Sequence, residues 1–122
     1  MNNKLYNTIE NKSDYELFLK NNRDAAIVII VANWSGNCKI MEPITEKLEN
    51  QFAGRIRFLT ARSELSMLFN LKCDSDVLPK FLFFNQDKIV DRVFGTASLN
   101  LLEEKMNALL KVSSINNMFN IK

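Results

Sequence analysis

The chain has 122 residues, 47% of them hydrophobic and 25% charged, which is the size and balance of one domain with its own core and excludes a disordered chain. Its 16 basic and 14 acidic residues leave a net charge of +2, which supplies no dedicated basic face for nucleic acid or for an anionic membrane surface. Histidine is absent and the two cysteines, Cys38 and Cys73, are too few for a four-thiolate site, so no metal or other cofactor is expected.

From Met1 to Tyr15 there is no apolar stretch of the kind a signal peptide needs. Leu5–Ile9 reads as a short strand. Ser13 and Glu16 have the spacing of a capping box, and Tyr15, Phe18 and Leu19 follow at helical intervals, which predicts a first helix over 14–22 closed by Asn21-Asn22. Ala25–Ala32 is continuously apolar and largely β-branched. It is too short to span a bilayer and reads as a central strand buried on both faces. These features make the cytoplasm the expected location, with reduced thiols and no membrane partner.

Trp34-Ser35-Gly36-Asn37 interrupts the apolar run. A helix is predicted from Cys38 to Phe52, with apolar rows through Ile40, Ile44 and Leu48 and through Met41, Leu48 and Phe52. Pro43 lies inside it and is expected to kink it. Gly54 marks its exit, Arg55–Ala61 alternates as a second buried strand, and Ser63 is placed to cap a short helix over 64–72. After the loop Asp74-Ser75-Asp76 come Lys80–Phe84 and Lys88–Phe94, two strands joined at Asn85-Gln86-Asp87. Gly95 ends the second, and Leu99–Val112 reads as a final amphipathic helix followed by a loose tail, Ser113–Lys122. Residues 1–112 are therefore expected to form the domain and 113–122 its tail. Early strand–helix alternation followed by a hairpin predicts an α/β fold, a mixed sheet flanked by helices on both faces.

That order, with Trp34-Ser35-Gly36-Asn37-Cys38-Lys39 at the first long strand–helix junction, resembles the thioredoxin family, whose pattern there is W-C-G-P-C-K. Trp34, Gly36, Cys38 and Lys39 match that pattern. Pro43 matches the family's helix proline, Leu78-Pro79 its cis-proline loop, and Gly95 the glycine that completes its groove. The resemblance covers about residues 5–112 and implies the thioredoxin fold. It also implies that Ser35 and Cys38 stand at the family's catalytic positions. A groove made by Trp34, Gly36, Asn37, Val77, Leu78, Pro79 and Gly95 would take a protein or an extended peptide by strand addition beside the proline.

The departures bear on chemistry. Ser35 stands where the family has its nucleophilic cysteine, and a hydroxyl forms no disulfide. Without histidine in the chain Ser35 has no evident base, and its plainer role is the cap of the following helix. Asn37 replaces the proline of the motif. Ile29 occupies the position of the family's buried acid, thought to exchange a proton with the second cysteine, and Lys80 replaces the usual threonine after the cis-proline. Cys38 is then either a small buried hydrophobe or a one-thiol site, and Trp34 either a rim anchor for a partner or a lid on the domain. Cys73 is expected to be a buried structural thiol, and Lys39 and Lys80 solvated charges. Three functions follow: a binding module without dithiol chemistry in thiol-related or protein-quality roles, a thiol oxidoreductase or redox sensor using Cys38, or an assembly factor acting through the tail.

Overall fold

In the computed structural model, which describes residues 7–69 and 77–119, the chain runs β1 (Asn7–Ile9), α1 (Lys12–Asn21), β2 (Ala25–Val31), α2 (Gly36–Phe52), β3 (Arg57–Arg62), a 3-10 helix (Ser63–Phe69), β4 (Lys80–Asn85), β5 (Lys88–Phe94) and α3 (Leu99–Phe119). The strands form one sheet in the order β1-β3-β2-β4-β5. β1, β3 and β2 are parallel, and β4 and β5 are antiparallel to their neighbours. The sheet is mixed because helices carry the early crossovers while a two-residue turn suffices between β4 and β5.

β2 alternates between two cores. Ala25, Ile27 and Ile29 pack with Met41, Leu48 and Phe52 of α2 and with Leu102, Met106 and Leu109 of α3. Ala26, Val28 and Ile30 pack on the other face with Phe18 of α1 and Phe69 of the 3-10 helix. Fully burying an aliphatic or aromatic side chain of this kind contributes roughly 1.5–3 kcal/mol, so both helical layers gain directly from β2. Phe18 meets Phe84 edge-on at 5.0 Å, and Tyr15 lies 4.5 Å from Phe69 between ring centroids. Burial raises the Tyr15 phenol above its ordinary pKa.

Several boundaries differ from the sequence expectation, each for a local reason. α1 is capped by Asn11, whose side-chain oxygen accepts the Asp14 N–H at 2.8 Å, while Asp14 accepts the Glu10 N–H at 2.9 Å. This reciprocal pair starts the helix two residues earlier and leaves Ser13 inside it, so the Ser13–Glu16 box does not form. β3 begins at Arg57 because the N–H groups of Arg55 and Ile56 both donate to the Phe52 carbonyl and are held in the turn after α2. The helix expected over 64–72 is a 3-10 helix over Ser63–Phe69, and its expected last residues, with Cys73 and Asp74-Ser75-Asp76, lie outside the described residues. α3 continues to Phe119, through most of the expected loose tail. Ser113 is buried on the face already formed by Leu102, Met106 and Leu109, so the helical period does not end at Val112.

Asn22, which the sequence marks only as a helix terminator, ties three elements together. It is buried, and its side-chain amide donates to the carbonyls of Asp24 at 2.8 Å and Gln86 at 2.7 Å. Gln86 also donates its N–H to the Asp24 carbonyl, and at φ 61° it makes the left-handed turn between β4 and β5. Asn22→Ala removes both side-chain donors and is expected to destabilise the fold by about 1–3 kcal/mol. Urea unfolding checks this, with the exposed Asn50→Ala as a control that stays within about 0.5 kcal/mol of the parent.

Candidate functional site

The carboxyl end of β2 sets the site. The chain leaves the sheet after Val31, passes Trp34 and enters α2 at Gly36. Ser35 is the N-cap, with extended backbone and an Oγ that accepts the Cys38 N–H at 3.2 Å. The helix therefore starts two residues before the expected Cys38. Ser35 is only 7% exposed, so its hydroxyl is both buried and occupied. Gly36 and Asn37 are exposed in the first turn, and a Cβ at Gly36 meets nothing within 4 Å. Cys38 is a free thiol, 8% exposed, packed in the α1-side core near Leu78 and Ile30.

Trp34 is 71% exposed. It borders a hollow of about 270 Å³ shared with Arg62, Ser63 and Glu64, so it stands at a rim and is not a packed lid.

The segment leading into β4 reaches the same end of the sheet. The antiparallel register pairs Ile30 with Lys80, which places Pro79 beside the end of β2. The Leu78–Pro79 peptide bond is cis. Leu78 and Pro79 are buried, and Val77 is 44% exposed. Gly95 follows β5 and donates its N–H to the Pro79 carbonyl at 2.8 Å. Its φ of +87° suits glycine, and a Cβ there would lie 2.8 Å from Val77 Cγ1. Gly95 is thus fixed by two independent requirements, backbone conformation and the closeness of Val77.

Cys38 and Pro79 line one recess of about 520 Å³, together with Ile29, Thr60 and the α2 residues Glu42 and Glu46. Ile29 and Thr60 are register partners on β2 and β3. The sheet residues on this recess thus include a branched alkyl side chain and a hydroxyl, without a carboxylate, while Glu42 and Glu46 are exposed on α2. Sequence reading missed Thr60, Glu42 and Glu46 as neighbours. The i, i+4 spacing of the two glutamates was the available signal, and nothing local linked them to Pro79.

Lys80 corrects one expectation. It is 5% exposed instead of solvated, with Nζ 6.0 Å from the Phe94 ring centroid. Every residue of β4 is buried, so a lysine in that strand must lie along the neighbouring aromatic on β5. Among the described residues, three or more His, Cys, Asp or Glu side chains nowhere gather as a metal site would require. Likewise among those residues, no helix is long and apolar enough to cross a membrane.

The geometry agrees with known proteins. The thioredoxin family model matches residues 7–108. Thioredoxin H4-2 of Oryza sativa subsp. japonica is 31% identical over 104 residues, covering 83% of this chain and 77% of that protein. The peptide-N(4)-(N-acetyl-beta-glucosaminyl)asparagine amidase of Caenorhabditis briggsae is 31% identical over 81 residues, where the match takes in 66% of this chain and spans only 13% of that protein. A chain from a structure concerning the thiol resolving mechanism of yeast mitochondrial 1-Cys peroxiredoxin via glutathione/thioredoxin systems superposes with a TM-score of 0.72. It is 21% identical, with 86% of this chain and 96% of that chain covered, which is a likeness of fold. The mixed sheet, the capped α2 at the end of β2 and the family match over most of the chain together place this protein in the thioredoxin family.

Proposed function

We propose that this thioredoxin-family protein binds a protein or extended peptide segment across Trp34, Val77-Leu78-Pro79 and Gly95 without dithiol exchange, in a thiol-related or protein-quality role in the cytoplasm. The observation that carries the reading is Ser35. The position of the family's nucleophile holds a buried hydroxyl whose oxygen is engaged on the Cys38 N–H. The groove features need no thiol. Trp34 and Val77 are exposed apolar side chains, and the missing Cβ of Gly95 makes room for the Val77 side chain. Exposed aromatics at a rim are favoured anchors for partners, and an extended segment reaches them by strand addition.

A second reading, oxidoreductase or redox-sensor chemistry by Cys38 alone, is favoured by one observation: the recess of about 520 Å³ that reaches that residue. Burial of Cys38 argues against it, because attack requires access as well as thiolate. Labelling separates the two. Cys38 in the native protein is expected to react with a thiol reagent at least about tenfold more slowly than in the denatured chain, since access requires local opening. The readout is mass spectrometry of the Cys38 peptide, and equal native and denatured rates would establish the one-thiol reading instead.

Turnover supplies the next test. With a thioredoxin reductant the protein is expected to leave insulin disulfides at the background rate. Ser35→Cys restores the missing sulfur and should raise the rate by about tenfold or more, ~1.4 kcal/mol in barrier. It should still fall short of a dithiol thioredoxin assayed beside it, because Ile29 exchanges no proton. Substantial turnover by the parent protein would sink the proposal.

Binding is tested at Trp34, which is exposed and can be changed without disturbing the core. Trp34→Ala is expected to keep stability within about 0.5 kcal/mol of the parent. It should lose by at least about tenfold the affinity for any partner captured by the parent, the usual cost of a central aromatic anchor. Retention of every partner at unchanged affinity would place the binding surface elsewhere.

A further inference from the structure

At the end of the sheet away from Trp34, the amino ends of β2 and β3 and the carboxyl ends of α1 and α2 enclose a cavity of about 570 Å³. β2 is seven residues long, which separates this cavity from Ser35 by roughly 20 Å. Ala25, Ile56 and Phe58 give it an apolar floor, and Arg23, Arg55 and Arg57 line it with positive charge. The ion pairs Lys12–Glu16 and Lys105–Asp91 do not use these arginines.

Two of the three guanidinium groups are held in place. Arg55 lies over the Phe52 ring at 5.0 Å and donates from Nη2 to the Gln51 carbonyl at 2.9 Å. Arg57 lies over the Phe18 ring at 5.6 Å and donates from Nη1 to Asn22 Oδ1 at 3.4 Å. A guanidinium has five N–H donors, so each keeps others for a ligand while its plane is fixed, the arrangement that recognises an oxyanion at low entropic cost. The carbonyl ends of two helices also face this region, which by itself would repel an anion. Three of those carbonyls are engaged: Phe18 O accepts the Asn22 N–H, Phe52 O accepts from Arg55 and Ile56, and Gln51 O accepts from the Arg55 side chain.

Asp24 and Glu49 line the same cavity, and the exposed Asp24 narrows the class of ligand. A bare polyanion would meet its carboxylate. A compact phosphate monoester presents its phosphate to the arginines and a hydroxyl donor to Asp24. We propose that this cavity is a second binding site of the protein, taking a small hydroxylated phosphate monoester, with Arg55 and Arg57 on the phosphate and Arg23 adding charge at the mouth. The site is independent of the peptide groove and of the state of Cys38.

The test is an amide-resolved NMR titration of the full chain with ribose 5-phosphate, inorganic phosphate and ribose. Ribose 5-phosphate is expected to give saturable shifts at Gly54, Arg55 and Arg57 while the Trp34 indole stays in place. Inorganic phosphate should bind there more weakly, and ribose should leave these amides unmoved. Arg55→Gln is expected to weaken ribose 5-phosphate by about tenfold, as loss of a charge-assisted hydrogen bond does. Arg23→Gln, an exposed position outside the hydrogen-bond network of Asn22, should weaken it by a smaller factor that shrinks as salt is added. Absence of saturable shifts, equal affinity for phosphate and its ester, shifts centred on Trp34, or unchanged affinity in both variants would each overturn the proposal.

Discussion

Burial of β2 on both faces is the constraint from which the rest of this structure follows. Seven consecutive apolar residues have no solvent side to offer, so helices must cover the sheet from above and below. Parallel pairing with β3 then requires a crossover, and α2 supplies it. The strand must also stop abruptly where it meets water. The stop falls after Val31, and the helix that starts at Gly36 needs a cap for its exposed N–H groups. Ser35 provides that cap, and the antiparallel partner β4 brings Pro79 to the same end. That end of the sheet is thus where a buried strand runs out, with the capped helix α2 after it and Pro79 and Gly95 joined beside it.

Much of this was legible in the sequence because the strongest signals were also the structurally dominant ones. The β2 run is short, β-branched and bounded by breakers, the two apolar rows of α2 keep a helical period, and the β4–β5 hairpin has a turn signal between two strand-like runs. The candidate residues Trp34, Ser35, Cys38, Leu78, Pro79 and Gly95 stood out because their order and spacing match a family pattern. What failed were choices between near-equivalent residues. Asn11 and Ser13 are both good caps two positions apart, and the winner was decided by Asp14 reaching back to Glu10. Ser113 looked like the start of a tail, yet its place on the buried face of α3 depends on tertiary packing that composition does not reveal. Lys80 looked solvated because lysine is ordinarily so, and its strand is buried along its whole length. The arginine-lined cavity was illegible for another reason: its residues come from the ends of two helices and two strands that only the folded sheet brings together.

The substitutions at the groove sort by what they do for stability. Serine at position 35 is among the best helix caps, and its hydroxyl is used as one. Isoleucine at position 29 is 2% exposed in the core with Met41 and Phe81, where a buried carboxylate would cost several kcal/mol in desolvation. Both departures from the family pattern therefore favour a stable domain and remove a part that dithiol exchange needs. Trp34 does the opposite: a tryptophan left 71% exposed forgoes most of the burial its ring offers. Gly95 serves the fold, because its φ of +87° and the 2.8 Å approach of Val77 Cγ1 to its Cβ position admit no side chain. The departures at positions 29 and 35 thus go with stability, and Trp34 is the matching residue whose exposure the fold itself does not reward.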